Sequence, residues 1–358
     1  MQSYCGNPGR GAHALAMAAA SKLYECRRLA AELFGAASPE SVVFTSGATM
    51  SLNLAIKGLL RAGDHVLISD LEHNAVLRPI ARLAREGKVT YDVFPSFVHQ
   101  MRPTEAILER IRARIRPNTR MVVCTHASNI CSMEMPIAQI GALCAERGIF
   151  FVVDAAQSAG RIPIDVQKMK IDALCVPGHK GLLGPQGCGL LILGSDCLID
   201  PLLEGGSGVH SLESEMPSEL PERLEAGTPP TPAIAGLCEG ILAVQSQGIA
   251  EIAKRERDLI SSLKERLMRS NRITVYAPHL EGSILLCNFR GIPCTALGAY
   301  LDREGICTRA GFHCTALGHK TLGTLHSGGV RISVGYQNTE EEMDRVYHAL
   351  LSAARHGI

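Results

Sequence analysis

Tryptophan is missing from this chain of 358 residues and aromatic residues make up only 4% of it, yet 46% is hydrophobic. A core with so few rings must be aliphatic, which suits buried parallel strands covered by helices. An excess of one charge is lacking too. The 36 Lys and Arg against 35 Asp and Glu leave a formal charge of +1, which excludes the footprint of a nucleic-acid or acidic-lipid binder and points to a small-molecule partner. No run of roughly 18 residues is apolar without interruption by charge, Pro or Gly, so no membrane span is expected. The stretch Ala14 to Ala20 (ALAMAAA) after Arg10 imitates a signal peptide, but the GNPGRG before it and the charged periodic segment after it fit a helix start better. A disulfide framework is absent as well. The 13 cysteines are scattered and odd in number, as in a reducing compartment, and a cytoplasmic location is expected.

The length suits about two domains. A helical pattern from Ala12 to Gly35 leads into the apolar run Val42 to Thr45, and similar runs recur at His65 to Ser69, Met121 to Thr125, Phe150 to Val153 and Gly189 to Leu193. Helix-like segments at 74–86, 103–115 and 136–147 separate them. This alternation predicts an α/β fold with a mainly parallel sheet, and places the chemistry in loops beyond the carboxyl ends of the strands. Between Gly205 and Pro232 the pattern dissolves into Gly, Ser, Pro and acidic residues, which reads as a long ordered loop or crossing segment. A charged amphipathic helix at 250–270, strands at Ile273 to Tyr276, Gly282 to Asn288 and Val330 to Val334, and a helix at 339–354 predict a smaller α+β domain. The expected division is 1–249 and 250–358, with the first residues of the chain free to pack on the small domain.

Three constellations carry chemistry. FTSGATMSLN, from Phe44, opens a helix at Ser46, Gly47, Ala48 and Thr49, either with Ser46 as its cap or with backbone amides left free to hold a phosphate. FFVVDAAQSAG sets Asp154 directly after an apolar strand, with Gln157 three residues on. That carboxylate either caps the next helix or faces a cationic ligand group such as a protonated ring nitrogen. LCVPGHKGLLGPQGCG places His179 and Lys180 between an apolar strand and a glycine-rich turn, with no other charge from Ala173 to Ser195. A lysine so placed has the access needed to form an imine with a carbonyl cofactor.

In order along the chain, FTSGATMSLN, LEHNAV, HASN, DAAQSAG, GHKGLLGP, EAGTPPTPA, RAGFHC and VRISVGYQNT resemble the motifs of cysteine desulfurases, in the class V aminotransferase group of pyridoxal-phosphate (PLP) enzymes. The resemblance runs from Asn7 to about residue 350 and implies PLP fold type I. It implies that Lys180 forms the imine with PLP and removes the substrate's Cα proton, that Asp154 pairs with the pyridine nitrogen, that His73 stacks on the ring and moves protons, and that Gln157 bonds the ring hydroxyl. Ala48, Thr49 and His179 match phosphate contacts. Thr228 matches a residue reaching the phosphate of a neighbouring subunit, hence a homodimer with shared active sites. Asn129 and Arg331 match groups at the substrate, Arg331 as the carboxylate fork.

Cys314, in RAGFHC, falls at the nucleophile's position, with His313 and Arg309 nearby to favour its thiolate. The alternatives are an inert thiol or a metal site of Cys307, His313, Cys314 and His319, which lacks the paired spacing of structural zinc; no metal is expected. The chain departs from the resemblance at three places. It starts at the end of a YLDNAATT-like segment, Pro177 stands where a serine is common, and Ser132 stands for a glycine. The expected activity is conversion of L-cysteine to L-alanine with a persulfide formed on Cys314 and passed to an acceptor protein or thiol. Selenocysteine lyase acting on L-selenocysteine, an aminotransferase and a β-elimination lyase are the alternatives.

Overall fold

The computed structural model describes residues 6–8, 11, 13–101, 103–194 and 197–356. The first helix, α1 (Ala14–Phe34), ends at Gly35, whose φ of 64° is the left-handed cap conformation that glycine adopts without strain. The Ala12 start expected for it lies outside the described residues. Strands and helices then alternate: β1 (Val42–Thr45), α2 (Ala48–Leu59), β2 (Asp64–Ser69), α3 (Asn74–Arg85), β3 (Val89–Phe94), α4 (Thr104–Arg112), β4 (Thr119–Thr125), α5 (Ile137–Glu146), β5 (Phe150–Asp154), β6 (Ala173–Pro177) and β7 (Gly189–Leu193). They form one seven-stranded sheet in the order β1-β7-β6-β5-β4-β2-β3. The β2–β3, β2–β4, β4–β5 and β5–β6 pairs are parallel, and β7 is antiparallel to both its neighbours.

Both faces of this sheet are buried, because successive side chains of a strand point to opposite sides. Val66 and Ile68 join one apolar layer with Leu52, Ile56 and Ile80 of α2 and α3, while Leu67 joins the other with Leu29, Phe34 and Ile140 of α1 and α5. Each fully buried Leu, Ile or Val contributes about 1.5–3 kcal/mol, which lets an aliphatic core do without tryptophan.

Helices α6 (Thr231–Gln247) and α7 (Ile249–Leu267) meet at Gly248 with a bend of 80°. Beyond them lie β8 (Ile273–Val275), β9 (Ile284–Phe289), α8 (Cys294–Arg303), β10 (Arg309–Gly311), α9 (Ala316–Thr321), β11 (Gly329–Ser333) and α10 (Glu340–His356). The second sheet is antiparallel, in the order β10-β11-β9-β8, and α7, α8 and α10 cover it through Leu263, Leu297 and Leu350. Among the described residues no single helix is long and apolar enough to cross a membrane.

β3, α6, α8, β10 and α9 are absent from the sequence expectations. β3 is an edge strand with polar residues at Thr90 and Asp92, and β10 has only three residues; their pairing comes from the neighbouring strand rather than from an apolar run of their own.

The loop after β4 is stapled to the second sheet. Ser132 Oγ donates to the Ile284 carbonyl at 3.1 Å and accepts from the Ile284 N–H at 3.0 Å. Ser132 has φ of 56°, and opposite it Gly282 leaves the space it needs, since a Cβ at 282 would stand 2.5 Å from that of Ser132.

Candidate active site

Strand direction collects the site. Thr45, Ser69, Thr125, Asp154 and Pro177 end β1, β2, β4, β5 and β6 at one edge of the large sheet, and the loops leaving that edge enclose a cavity of about 280 Å³. Asp154, Gln157, His179 and Lys180 line it together with His73, Asn129, Ala48 and Thr49. The Asp154 carboxylate is 3% exposed, and its Oδ1 accepts from the Ala156 N–H at 2.9 Å. It therefore closes a turn of its own and caps no helix. Lys180 is surrounded by protein on most sides yet opens to solvent through the cavity. Burial pushes the Asp154 carboxyl up and the Lys180 ammonium down, and each opposes the other's shift by its charge.

His73 caps α3, its Nδ1 accepting from the Ala75 N–H at 3.0 Å, and burial lowers its pKa, so the ring is neutral at pH 7. Next to it Glu72 is fully buried. Its Oε1 accepts from Ser69 Oγ and from the Thr125 N–H at 2.7 Å, and its Oε2 has no hydrogen-bond partner. Burial pushes its pKa up to about 8, with the Asp154 charge acting in the same direction, so Glu72 is a neutral acid at pH 7. At the other end of the cavity α2 begins after Gly47, with φ of 141°, and no side chain caps it. The expectation of Ser46 as cap is corrected here: the chain turns at Gly47, and the first turn of the helix faces the cavity uncapped.

Cys314 is held over this site by backbone bonds. Its carbonyl accepts from the Asn74 N–H at 2.7 Å, and the preceding His313 carbonyl accepts from Asn129 Nδ2 at 2.8 Å. Thr315 Oγ1 donates to the Glu72 carbonyl at 3.0 Å. Arg331 Nη1 donates to the Asn129 carbonyl at 3.0 Å, so Asn129 links the second sheet to the cavity wall. The Cys314 side chain is exposed, with Arg309 Nη2 3.4 Å from its sulfur. His313 departs from expectation. Its ring is buried, bonded at both nitrogens away from the thiol, and burial drops its pKa to about 4, so it brings no positive charge to Cys314 at neutral pH. The alternative four-residue metal site is not assembled: among the described residues no group of three or more His, Cys, Asp or Glu side chains is placed to hold an ion.

The aminotransferase class-V family matches residues 1–346. The chain is 32% identical over 364 residues to a probable cysteine desulfurase of Methanothermobacter thermautotrophicus, covering 99% of this chain and 90% of that relative. It is 31% identical over 353 residues to a cysteine desulfurase of Escherichia coli O157:H7, covering 95% and 84%. The chain belongs to the cysteine desulfurase family of class-V aminotransferases. Among solved structures it is similar to the apo cysteine desulfurase of Thermococcus onnurineus, with a TM-score of 0.88, 29% identity and coverage of 98% of this chain and 88% of that one. It is also similar to the Escherichia coli cysteine desulfurase CsdA in an S-sulfonic acid form, with a TM-score of 0.85, 26% identity and coverage of 97% and 87%.

Enzymes of this family use PLP, and the cavity fits that group. A buried carboxylate facing an open cavity calls for a cationic partner, which a protonated pyridine nitrogen supplies, and the uncapped start of α2 suits a phosphate. Pro177 lines the cavity and offers no donor. Two expected site residues do not line the cavity. Thr228 is exposed in an adjoining groove with Leu203, Leu224 and Pro229 that shares Ser46 and Met50 with the cavity wall, and Arg331 is bonded to Asn129, near enough for its charge to help lower the Lys180 pKa. The sequence reading missed Glu72 and Asn74, although both stand in LEHNAV beside His73.

Proposed function

We propose that this chain is a PLP-dependent cysteine desulfurase, converting L-cysteine to L-alanine as a homodimer with active sites shared between subunits. The observation that carries the reading is the convergence of Lys180, Asp154 and His73 on one cavity, with the Cys314 backbone bonded to Asn74 at its rim. When bound, PLP supplies a conjugated sink for the electrons left as the substrate's Cα–H bond breaks.

Lys180 Nζ would hold the cofactor covalently and take the Cα proton; burial lowers its pKa, which favours the neutral amine over the ammonium. The Asp154 carboxylate would pair with the ring nitrogen, His73 would stack on the ring and Gln157 would donate to its hydroxyl. The amides of Ala48 and Thr49, with His179, would hold the phosphate. Arg331 grips the substrate carboxylate and Asn129 orients it. Cys314, as thiolate, attacks the substrate sulfur; the new S–S bond forms as the Cβ–S bond breaks, leaving a persulfide on Cys314 for an acceptor protein or thiol.

The exposed Thr228 groove, together with the exposed apolar side chains of Leu198, Leu203 and Leu212, supports a subunit interface. The bend at Gly248 supports a division between a large domain of 1–249 and a small one of 250–358. The buried Cys26, Cys124, Cys175 and Cys287 are free thiols, in keeping with a cytoplasmic location.

The test supplies L-cysteine and a reductant and measures alanine and sulfide for the parent, Lys180→Ala and Cys314→Ala. Equal yields of both products, lost in both variants, are expected. Pyruvate in place of alanine would overturn the reading in favour of β-elimination. Turnover of L-selenocysteine alone would assign the chain as a selenocysteine lyase.

A further inference from the structure

The turn that carries Cys314 is held in a conformation its residues do not favour. His313 and Cys314 have φ of 51° and 57°, two successive non-glycine residues in the left-handed region, separated by Phe312 from Gly311 at 112°. Neither side chain prefers that backbone, so the turn persists only where its surroundings impose it. Asn74 and Asn129 grip its two carbonyls. The remaining anchor is the His313 ring, and that anchor continues beyond the family's motif.

His313 Nε2 lies 2.9 Å from the Arg309 carbonyl, which can only accept, so this nitrogen carries the hydrogen. In a neutral ring Nδ1 is then an acceptor, and its partner 3.1 Å away is Nε2 of His319, which must donate. His319 Nδ1 is left as an acceptor for the hydroxyl of Thr324 at 2.7 Å. The donors run in one direction from Thr324 to His319, to His313 and to the backbone of the strand before the turn, the Thr324 hydroxyl also lying 3.3 Å from the His319 carbonyl as a longer second acceptor. The two imidazoles stack with centroids 5.4 Å apart and planes inclined by 14°, and Phe312 covers His319 edge-on at 5.5 Å. Both histidines and Thr324 are buried. The charged groups around them are Arg309 and Arg331, whose positive charges oppose a third.

We propose that His319, supported by Thr324, is a positioning residue for sulfur transfer: it fixes the tautomer and place of His313 and so holds the Cys314 turn over the cavity. The proposal rests on the reading of Cys314 as the nucleophile. It touches neither cofactor nor substrate, and His319 acts only through its neighbours. Gln can present its Nε2 amide where His319 Nε2 stands, whereas Leu fills the space and donates nothing.

The test uses PLP-loaded parent enzyme, His319→Leu, His319→Gln, Thr324→Val and Cys314→Ala. It measures kcat and KM for L-cysteine, the visible absorbance of bound PLP, and the pH dependence of iodoacetamide alkylation at Cys314, read by peptide mass spectrometry. Exposed Cys307 serves as internal reference. His319→Leu is expected to lower kcat about tenfold with KM within about twofold and the absorbance unchanged. Cys314 alkylation should slow about threefold relative to Cys307 at pH 7 as the sulfur leaves the Arg309 guanidinium. His319→Gln should return both readouts to within about threefold of the parent. Should His319→Leu fail to fold, Thr324→Val keeps both rings and gives a smaller loss in the same direction. The proposal falls if His319→Leu keeps the parental kcat and alkylation ratio, or if Gln rescues neither. Full alanine formation by Cys314→Ala would instead sink the nucleophile reading, while the alkylation ratio would still report whether His319 holds the turn.

Discussion

Lys180 stands three residues beyond β6, a strand buried at all five positions, whereas Cys314 stands at an exposed tip between a three-residue strand and a six-residue helix. The cavity around Lys180 inherits its shape from the large sheet: its walls are strand ends, and moving one would disturb two apolar layers. The Cys314 turn has no such foundation. It carries two left-handed residues at a cost of about 1–2 kcal/mol each, offset by hydrogen bonds from Asn74 and Asn129 and by the buried histidine pair. On the proposed reading, chemistry that needs a fixed charge arrangement sits on the rigid part, and sulfur transfer sits on a piece held by a few separable bonds. Regions of the second kind open at lower free energy.

Substitutions should separate the two regions. Lys180→Ala is expected to have the largest effect, lowering alanine formation by about 10³-fold or more and abolishing the visible absorbance of bound PLP. Asn129→Ala should leave that absorbance in place yet cut sulfide release about tenfold, because the bond to the His313 carbonyl is lost. If PLP is lost as well, the cavity and the turn are one unit and the distinction fails.

Glu72 probes the rigid part alone. Its folded pKa is about 8 against an ordinary 4.5, so between these values the folded chain keeps a proton that the unfolded chain has lost. Stability is therefore full below about pH 4.5 and falls as pH rises toward 8, by an amount on the order of a few kcal/mol. In Glu72→Gln this fall is absent. Denaturant titrations of parent and variant at several pH values check it, and parallel curves would show that Glu72 does not carry the dependence. The smallest effect is expected from Ser132→Ala, a loss of about 1 kcal/mol in the same titration with PLP absorbance unaltered.

What was legible in the sequence follows the same division. Strands buried on both faces read as continuous apolar runs, so β1 and β7 coincide with their expected bounds, and the candidate residues Asp154 and Lys180 show because a charge stands out at the end of one such run and three residues beyond another. Elements defined by their neighbours stayed hidden, among them β10 and α9, too short for any period. Glu72 went unread, since nothing in LEHNAV itself signals a burial made with partners elsewhere in the chain, the Thr125 N–H at the end of β4 among them. His313 was assigned to the thiol because adjacency in sequence suggests contact, whereas the left-handed backbone turns its ring inward to His319, six residues away.

The staple between Ser132 and Ile284 makes positions 132 and 282 interdependent. With serine at 132, an alanine at 282 would press against its side chain and wedge the two sheets apart, and even with glycine at 132 the φ of 152° at 282 would strain any side chain placed there. Glycine at 282 is thus demanded twice, by its own backbone and by the serine across from it whose Oγ stays 3.0 Å from the Ile284 N–H.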